Sequence, residues 1–183
     1  MPAPIILIKA FLCVGAFISI LGLLHPAKAL LGLMLLETAF KAGGEQPWPG
    51  ADLRPIGKLQ FPRLGIQKII LSNATGQAMA WGPAILGNTK FPDFKGLTII
   101  VGHRDSHMRF LKDLKQGDLL KFITLNGKQL RFIVNAKRVV GKTLWVPIVT
   151  KNLQPEIILV TCWPIEEEGP TDKRFLVHLV SDN

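Results

Sequence analysis

The sequence predicts a mainly β domain that follows an apolar N-terminal helix. From residue 53 onward the chain consists of short apolar runs separated by Gly, Pro and Asn. Many short strands at modest spacing are typical of a sandwich or a barrel. Before that point, residues 5–24 are almost wholly apolar. At 183 residues the chain has room for one domain of ordinary size and an additional segment.

The N-terminal segment is predicted to be a transmembrane helix. Residues 5–24 carry only Lys9 and Ser19 as polar residues, and about 20 apolar residues are enough to cross the hydrocarbon layer of a bilayer. The alternative is a secretory signal peptide with a small-x-small cleavage site at 27–29. Both alternatives export the rest of the chain, and we favour a retained anchor over residues 1–28.

The next residues are predicted to connect this segment to the domain. The stretch 29–41 is rich in strong helix formers and mostly apolar, so we expect an amphipathic helix along the membrane surface. The stretch 43–52 has glycines and a proline on each side of Trp48, a composition typical of a linker. We therefore divide the chain into a membrane segment, a helix with a linker, and a β domain, at 1–28, 29–52 and 53–183.

The β domain is predicted to contain seven strands and two short helices. Asn126-Gly127, between two apolar runs, favours a hairpin with a type I′ turn. Helices are expected at Gly76–Trp81 and at His107–Leu114, the second followed by Gly117 as a stop signal. The strands are expected at residues 58–62, 66–72, 97–101, 118–125, 128–140, 156–162 and 174–181.

Charge and cysteine content narrow the class of function. The chain has 22 Lys and Arg against 13 Asp and Glu, a net charge of +9. The basic residues are scattered singly, and no stretch interleaves them with aromatic residues, so we predict no nucleic-acid partner. Cys13 and Cys162 lie in different regions, and no disulfide is expected. Cys162 is therefore a free thiol, either inert in the core or reactive.

Three residues with useful chemistry stand at the ends of predicted strands. Cys162 closes the apolar run 157–162, His103 follows the run 97–101, and Arg174 begins the last strand. A thiolate is a nucleophile, an imidazole can protonate a leaving amine, and a guanidinium can donate hydrogen bonds to an oxyanion. Cys162, His103 and Arg174 could therefore form one site that contains a nucleophile, its proton partner and a charged donor to an oxyanion.

Each partner also has a simpler interpretation. Lys173 is a rival to Arg174 as the cation of the site. His103 and His107 form an H-x3-H pair that could bind a metal on a helix, but no third ligand of the right type is evident nearby. Three adjacent glutamates, 166–168, are more typical of a solvated loop than of a cation site. We predict no metal and no cofactor.

Taken together, these motifs resemble those of sortases, a family of membrane-anchored cysteine transpeptidases. The resemblance rests on Gly102-His103-Arg104-Asp105 after an apolar strand, on Leu159-Val160-Thr161-Cys162 before an aromatic residue and a proline, and on the late Arg174. Ile158 stands where the family signature Thr-Leu-x-Thr-Cys has its first threonine. Further stretches are similar to the sortases of Gram-negative, marine proteobacterial species, at 26–29, 47–49, 62–66 and 110–114.

The resemblance implies a closed β-barrel with short helices, held at the inner membrane by a single helix with the domain on the periplasmic face. Cys162 would be the nucleophile that attacks the carbonyl of a threonine within the C-terminal sorting signal of an exported protein. His103 would be the general acid and base, and Arg174 would orient the substrate or stabilise the oxyanion. An amine acceptor of unknown identity would resolve the thioester.

Two alternatives stay open at this point. The first is a membrane-tethered β-barrel module for binding or assembly, without catalysis. The second is another Cys/His transpeptidase or hydrolase of the cell wall. The L,D-transpeptidase type is disfavoured because it expects a Ser-x-Gly-Cys elbow, whereas Val160 and Thr161 precede Cys162 here.

Overall fold

The structure is a computed structural model, and the chain divides into two compact units, Met1–Leu35 and Leu36–Asn183. The boundaries predicted at residues 28 and 52 stay predictions. The structure describes residues 3–87, 89, 91–92, 95–143, 154–167 and 169–182.

Helix α1 spans Ala3–Lys41 and includes Pro26. It therefore runs through both the predicted anchor and the predicted amphipathic helix. No helix in the described part of the chain is long and apolar enough to cross a membrane, so the predicted transmembrane helix is not supported. The helix ends where Gly43 and Gly44 take positive φ angles of 90° and 87°, a conformation that favours glycine.

The larger unit contains a closed barrel of eight strands, as the resemblance implied. The order around the barrel is β1-β2-β3-β4-β7-β8-β6-β5, and β5 closes it by pairing with β1. All seven predicted strands are present, and the two-residue β3 was not predicted. The strands are β1 Pro55–Phe61, β2 Ile66–Leu71, β3 Ala84–Ile85, β4 Gly96–Val101, β5 Leu119–Thr124, β6 Gln129–Gly141, β7 Pro155–Trp163 and β8 Lys173–Ser181.

Alternation along the strands builds the core inside the barrel. In β1 and β5 every second residue is buried, which is the period-two pattern of a strand with one face in the interior. Gly57 of β1 leaves room for the ring of Phe122 on the neighbouring β5, because a Cβ at this position would collide with that ring. The largest fully buried side chains inside this core include Phe61, Phe122, Phe132, Leu59 and Ile100.

The hairpin between β5 and β6 is confirmed, but its predicted type I′ turn is wrong. A type I′ turn needs positive φ at both central residues, and among the described residues only glycines have positive φ. Gly127 has φ 79°, and its N–H donates to the Thr124 carbonyl at 3.0 Å. The Asn126 side chain instead accepts hydrogen bonds from the Thr124 hydroxyl and the Lys128 N–H. This pattern matches hairpin loops in which a single left-handed glycine ends the turn.

Short helices cover the connections between strands. The predicted helix Gly76–Trp81 is present as α2, and the Thr75 hydroxyl caps it by accepting from the Ala78 N–H at 3.1 Å. The second predicted helix is a 3₁₀ helix, Arg109–Asp113, and another 3₁₀ helix covers Pro62–Leu64. The last turns of α1 pack against β1, where Lys58 Nζ donates to Glu37 Oε1 at 2.8 Å.

Candidate active site

The position of β7 brings the predicted site residues to one edge of the barrel. β7 lies between β4, to which it is parallel, and β8, to which it is antiparallel. Val101, the last residue of β4, pairs with Val160 of β7, and the next N–H along, that of Gly102, donates to the Val160 carbonyl at 3.2 Å. His103 therefore leaves β4 at the level where Cys162 stands on β7. Arg174 of β8 is the register partner of Cys162.

A cavity of about 640 Å³ is lined by all three predicted residues, Cys162, His103 and Arg174. Arg104 and Lys142 also line it, together with residues from the loop between β7 and β8. Cys162 and Arg174 lie 59 or more positions after His103 in the sequence. The fold brings the three residues together at this cavity. The arrangement provides a thiol, an imidazole and a guanidinium around one space.

The Cys162 side chain is partly exposed and does not belong to the buried core. An inert structural cysteine is typically buried among apolar side chains, whereas a reactive thiol needs access to its substrate. The exposure of Cys162 and its place in the cavity wall therefore favour the reactive interpretation. Cys13 is also a free thiol, and it is exposed on α1.

Arg174 and Lys173 point to different cavities. Lys173 pairs with Trp163 and lines a second cavity of about 450 Å³, whereas Arg174 lines the cavity that contains Cys162 and His103. The Nη1 atom of Arg174 donates to the Thr171 carbonyl at 3.2 Å and to the Lys173 carbonyl at 2.9 Å. These bonds engage one end of the guanidinium, and its other N–H groups make no hydrogen bond to the described residues.

The metal alternative finds no support in the described part of the chain. No group of three or more His, Cys, Asp and Glu that could hold a metal occurs among the described residues. His107 Nε2 lies 3.2 Å from the Ala80 carbonyl, and burial lowers the pKa of the His107 imidazole. Glu166 forms an ion pair with Lys112 at 2.9 Å, and the hydrogen bond from Lys112 lowers the pKa of the Glu166 carboxyl. Glu168 lies outside the described residues.

Two residues that support the site were not predicted from the sequence. Thr161 is buried, and its hydroxyl donates to the Gly102 carbonyl at 2.8 Å, which joins the residue before His103 to the residue before Cys162. Arg104 is also buried, and it donates to two main-chain carbonyls of the loop after β7. The sequence offered one signal, the adjacency of Arg104 and Thr161 to predicted site residues, but it carries no information about their burial.

Comparison with known proteins assigns the family. The profile of the sortase domain matches residues 59–181, about two thirds of the chain and nearly all of the barrel. The chain belongs to the sortase family. Sortase D of Bacillus subtilis (strain 168) is 27% identical over 122 residues, which cover 67% of this chain and 61% of that protein. The chain thus matches less than two thirds of the length of this sortase.

Solved sortase structures share the barrel. Sortase A from Corynebacterium diphtheriae superposes with a TM-score of 0.65 at 20% identity, covering 73% of this chain and 63% of that chain. Sortase C2 of the group B Streptococcus pilus island 1 gives a TM-score of 0.63 at 21% identity, covering 70% of this chain and 74% of that chain. At this level of identity the likeness demonstrates a common fold. The narrower assignment to a Gram-negative sortase group stays a prediction.

Proposed function

We propose that this sortase is a cysteine transpeptidase that cleaves the C-terminal sorting signal of an exported protein and transfers the protein to an amine. The observation that carries the proposal is the shared cavity: Cys162, His103 and Arg174 line one space at the end of β4 and β7. Membership of the sortase family supports the same reaction class. The motifs at 26–29, 47–49, 62–66 and 110–114 support the proposed place of this chain among Gram-negative sortases.

The proposed reaction has two acyl-transfer steps. The Cys162 thiolate attacks the carbonyl carbon of a threonine in the sorting signal, which forms a C–S bond and a tetrahedral oxyanion. Arg174 donates hydrogen bonds to this oxyanion. The C–N bond then breaks, and His103 gives a proton to the leaving amine.

The second step releases the product. The thioester is attacked by the acceptor amine, whose proton passes to His103, and collapse of the second tetrahedral intermediate regenerates the Cys162 thiolate. The net reaction exchanges one amide bond for another, so it needs no cofactor or external oxidant.

Reactivity of the thiol tests the proposal. In the whole chain carrying Cys13→Ser, Cys162 is the sole thiol, so the rate of its alkylation by iodoacetamide can be followed against pH. We expect the folded chain to react and His103→Ala to change the pH profile. Reaction only after denaturation would contradict the proposal and favour a binding module with Cys162 as packing.

Acyl-enzyme formation tests the reaction itself. A peptide library with threonine fixed at the cleaved position, followed by intact-mass measurement, should reveal a covalent adduct in the Cys13→Ser chain. Hydroxylamine, added as a small amine acceptor, should release the adduct as a hydroxamate. Cys162→Ala should abolish the adduct, and an unchanged yield in that variant would remove the proposed mechanism.

We also propose that α1 holds the protein at the inner membrane with the barrel on the outer face. The proposal is supported by the large apolar side chains that α1 exposes, including Leu7, Ile8, Phe11 and Leu12, because exposed apolar surface of this kind favours a lipid environment. Cell fractionation and protease treatment of spheroplasts test it. Recovery of the chain in the soluble fraction, or protection of the barrel from external protease, would contradict it.

A further inference from the structure

We propose that Arg104 is a positioning residue that holds the loop between β7 and β8 as a wall of the active-site cavity. This loop, residues 164–172, connects Cys162 on β7 to Arg174 on β8. The proposal has two parts: Arg104 keeps the loop in place, and the placed loop determines how the substrate binds beside Cys162. The second part rests on the transpeptidase function proposed above.

The contacts of Arg104 span the first two thirds of this loop, from Pro164 to Gly169. Arg104 is buried, with 8% of its surface exposed. Its Nη1 atom donates to the Pro164 carbonyl at 2.9 Å, and its Nη2 atom donates to the Gly169 carbonyl at 2.5 Å. A guanidinium presents its N–H groups in a rigid planar fork, so two acceptors bound by one fork are fixed relative to each other. Arg104 therefore ties together two loop positions five residues apart.

The partners of Arg104 argue for positioning. No carboxylate in the described part of the chain forms an ion pair with Arg104, so the two carbonyls are its hydrogen-bond partners there. Burial of a cation is costly, and the hydrogen bonds that Arg104 makes to the two carbonyls help to offset that cost. An apolar side chain could be buried there at a lower cost, but it has no N–H group to donate to either carbonyl.

The loop that Arg104 holds forms part of the cavity wall. Glu167, Gly169, Pro170 and Thr171 of this loop line the same cavity as Cys162 and His103. A separate hydrogen bond holds the far end of the loop, where the Thr171 hydroxyl donates to the Trp163 carbonyl. Since Arg104 directly follows His103, one short segment supplies the imidazole of the site and fixes the wall that faces it.

The test compares Arg104→Gln and Arg104→Lys with Arg138→Gln in the whole chain. Arg138 is an exposed arginine of β6 and serves as the matched control. Hydrogen–deuterium exchange of residues 164–172 reports on the loop. KM and kcat are measured with the single peptide of the threonine-fixed library that forms the most acyl-enzyme. In Arg104→Gln we expect at least about tenfold faster exchange in the loop, unchanged exchange in β5 and β6, and KM raised about tenfold with a smaller change in kcat.

The lysine variant separates positioning from charge. Lysine keeps the positive charge but is a single point donor without the planar fork, so we expect loop exchange and KM between those of the native chain and Arg104→Gln. If Arg104→Gln fails to fold, the lysine variant decides by the same readouts. Loop exchange at the native rate in a folded variant overturns the proposal, and so does faster exchange with unchanged KM and kcat.

Failure of the proposed function gives a different result. If the native chain forms no acyl-enzyme and Cys162 reacts only after denaturation, the transpeptidase assignment is wrong, whatever the Arg104 variants do. Hydrogen exchange, which needs no substrate, then still decides whether Arg104 holds the loop: faster exchange in 164–172 supports that part, and native exchange overturns it.

Discussion

Cys162 on β7 and Arg174 on β8 are register partners in an antiparallel pair. Side chains of directly opposed residues project from the same face of a sheet, with Cβ atoms about 4.5–5.5 Å apart. The neighbouring pair, Trp163 and Lys173, therefore projects to the other face. The register therefore puts Arg174, and not the adjacent Lys173, on the same face of the sheet as Cys162. The sequence could not make this distinction, because successive residues along a strand point to opposite faces.

The first prediction concerns this cation. Arg174→Ala should lower kcat/KM for the peptide library by about 10²–10³-fold, because the oxyanion loses a hydrogen-bond donor. Lys173→Ala is the matched control and should leave kcat/KM within about threefold, a change too small to represent a lost transition-state contact. A larger loss of kcat/KM in Lys173→Ala than in Arg174→Ala would contradict the prediction and would make Lys173 the cation of the site.

The second prediction concerns the hydrogen bond between Thr161 of β7 and Gly102, the residue that follows β4. Thr161→Val keeps the shape of the side chain but leaves the Gly102 carbonyl without the hydroxyl that donates to it at 2.8 Å. We expect the free energy of unfolding to fall by about 1–3 kcal/mol in urea titrations, the usual cost of an unpaired buried polar group. Thr161→Ser keeps the hydroxyl and should lose less; equal losses in the two variants would show that the methyl group, not the hydrogen bond, matters.

The third prediction concerns pH. Asp118 accepts from Arg63 Nε at 2.5 Å and Nη2 at 2.6 Å and from the Lys115 N–H at 2.7 Å, and the hydrogen bonds from Arg63 lower the pKa of its carboxyl. A carboxyl with a lowered pKa in the folded state stabilises the fold above its unfolded pKa, near 4, and this contribution is lost as pH falls through the folded pKa.

Urea titrations at a series of pH values measure this contribution. Between about pH 5 and pH 3, the free energy of unfolding should fall less steeply in Asp118→Asn than in the native chain. Asp182→Asn removes the carboxylate of the more exposed pair with Arg131, and it should follow the native curve closely. Parallel curves for Asp118→Asn and the native chain would contradict the prediction.

The fourth prediction concerns the barrel interior. Gly57→Ala places a Cβ against the Phe122 ring and near the Ile123 carbonyl, and neither can move freely in a closed, packed barrel. Thermal and urea unfolding should show a loss of about 1–3 kcal/mol, typical of overpacking. At Gly141, a Cβ meets no atom within 4 Å, so Gly141→Ala should be nearly neutral. A neutral Gly57→Ala would mean that Phe122 has an alternative position.

Much of the barrel was predictable because strands and turns have local sequence patterns. Alternating apolar residues marked β1 and β5, and Gly127 marked the hairpin. The two residues of β3, Ala84 and Ile85, are too few to show a period, so this strand was missed. The type I′ turn was wrong because the Asn126 side chain bonds to Thr124 and Lys128, and sequence alone does not show which conformation those contacts favour.

The amino-acid sequence by itself determined which chemical groups this protein has near its strand ends: a free thiol, an imidazole and a guanidinium. It could do so because residue type and strand pattern are local properties of the sequence. Only the tertiary structure decided that β7 lies between β4 and β8, that Arg174 rather than Lys173 lines the cavity of Cys162, and that Arg104 is buried under the loop after β7. These outcomes depend on strand order and register, which are set by packing between segments that are distant in sequence.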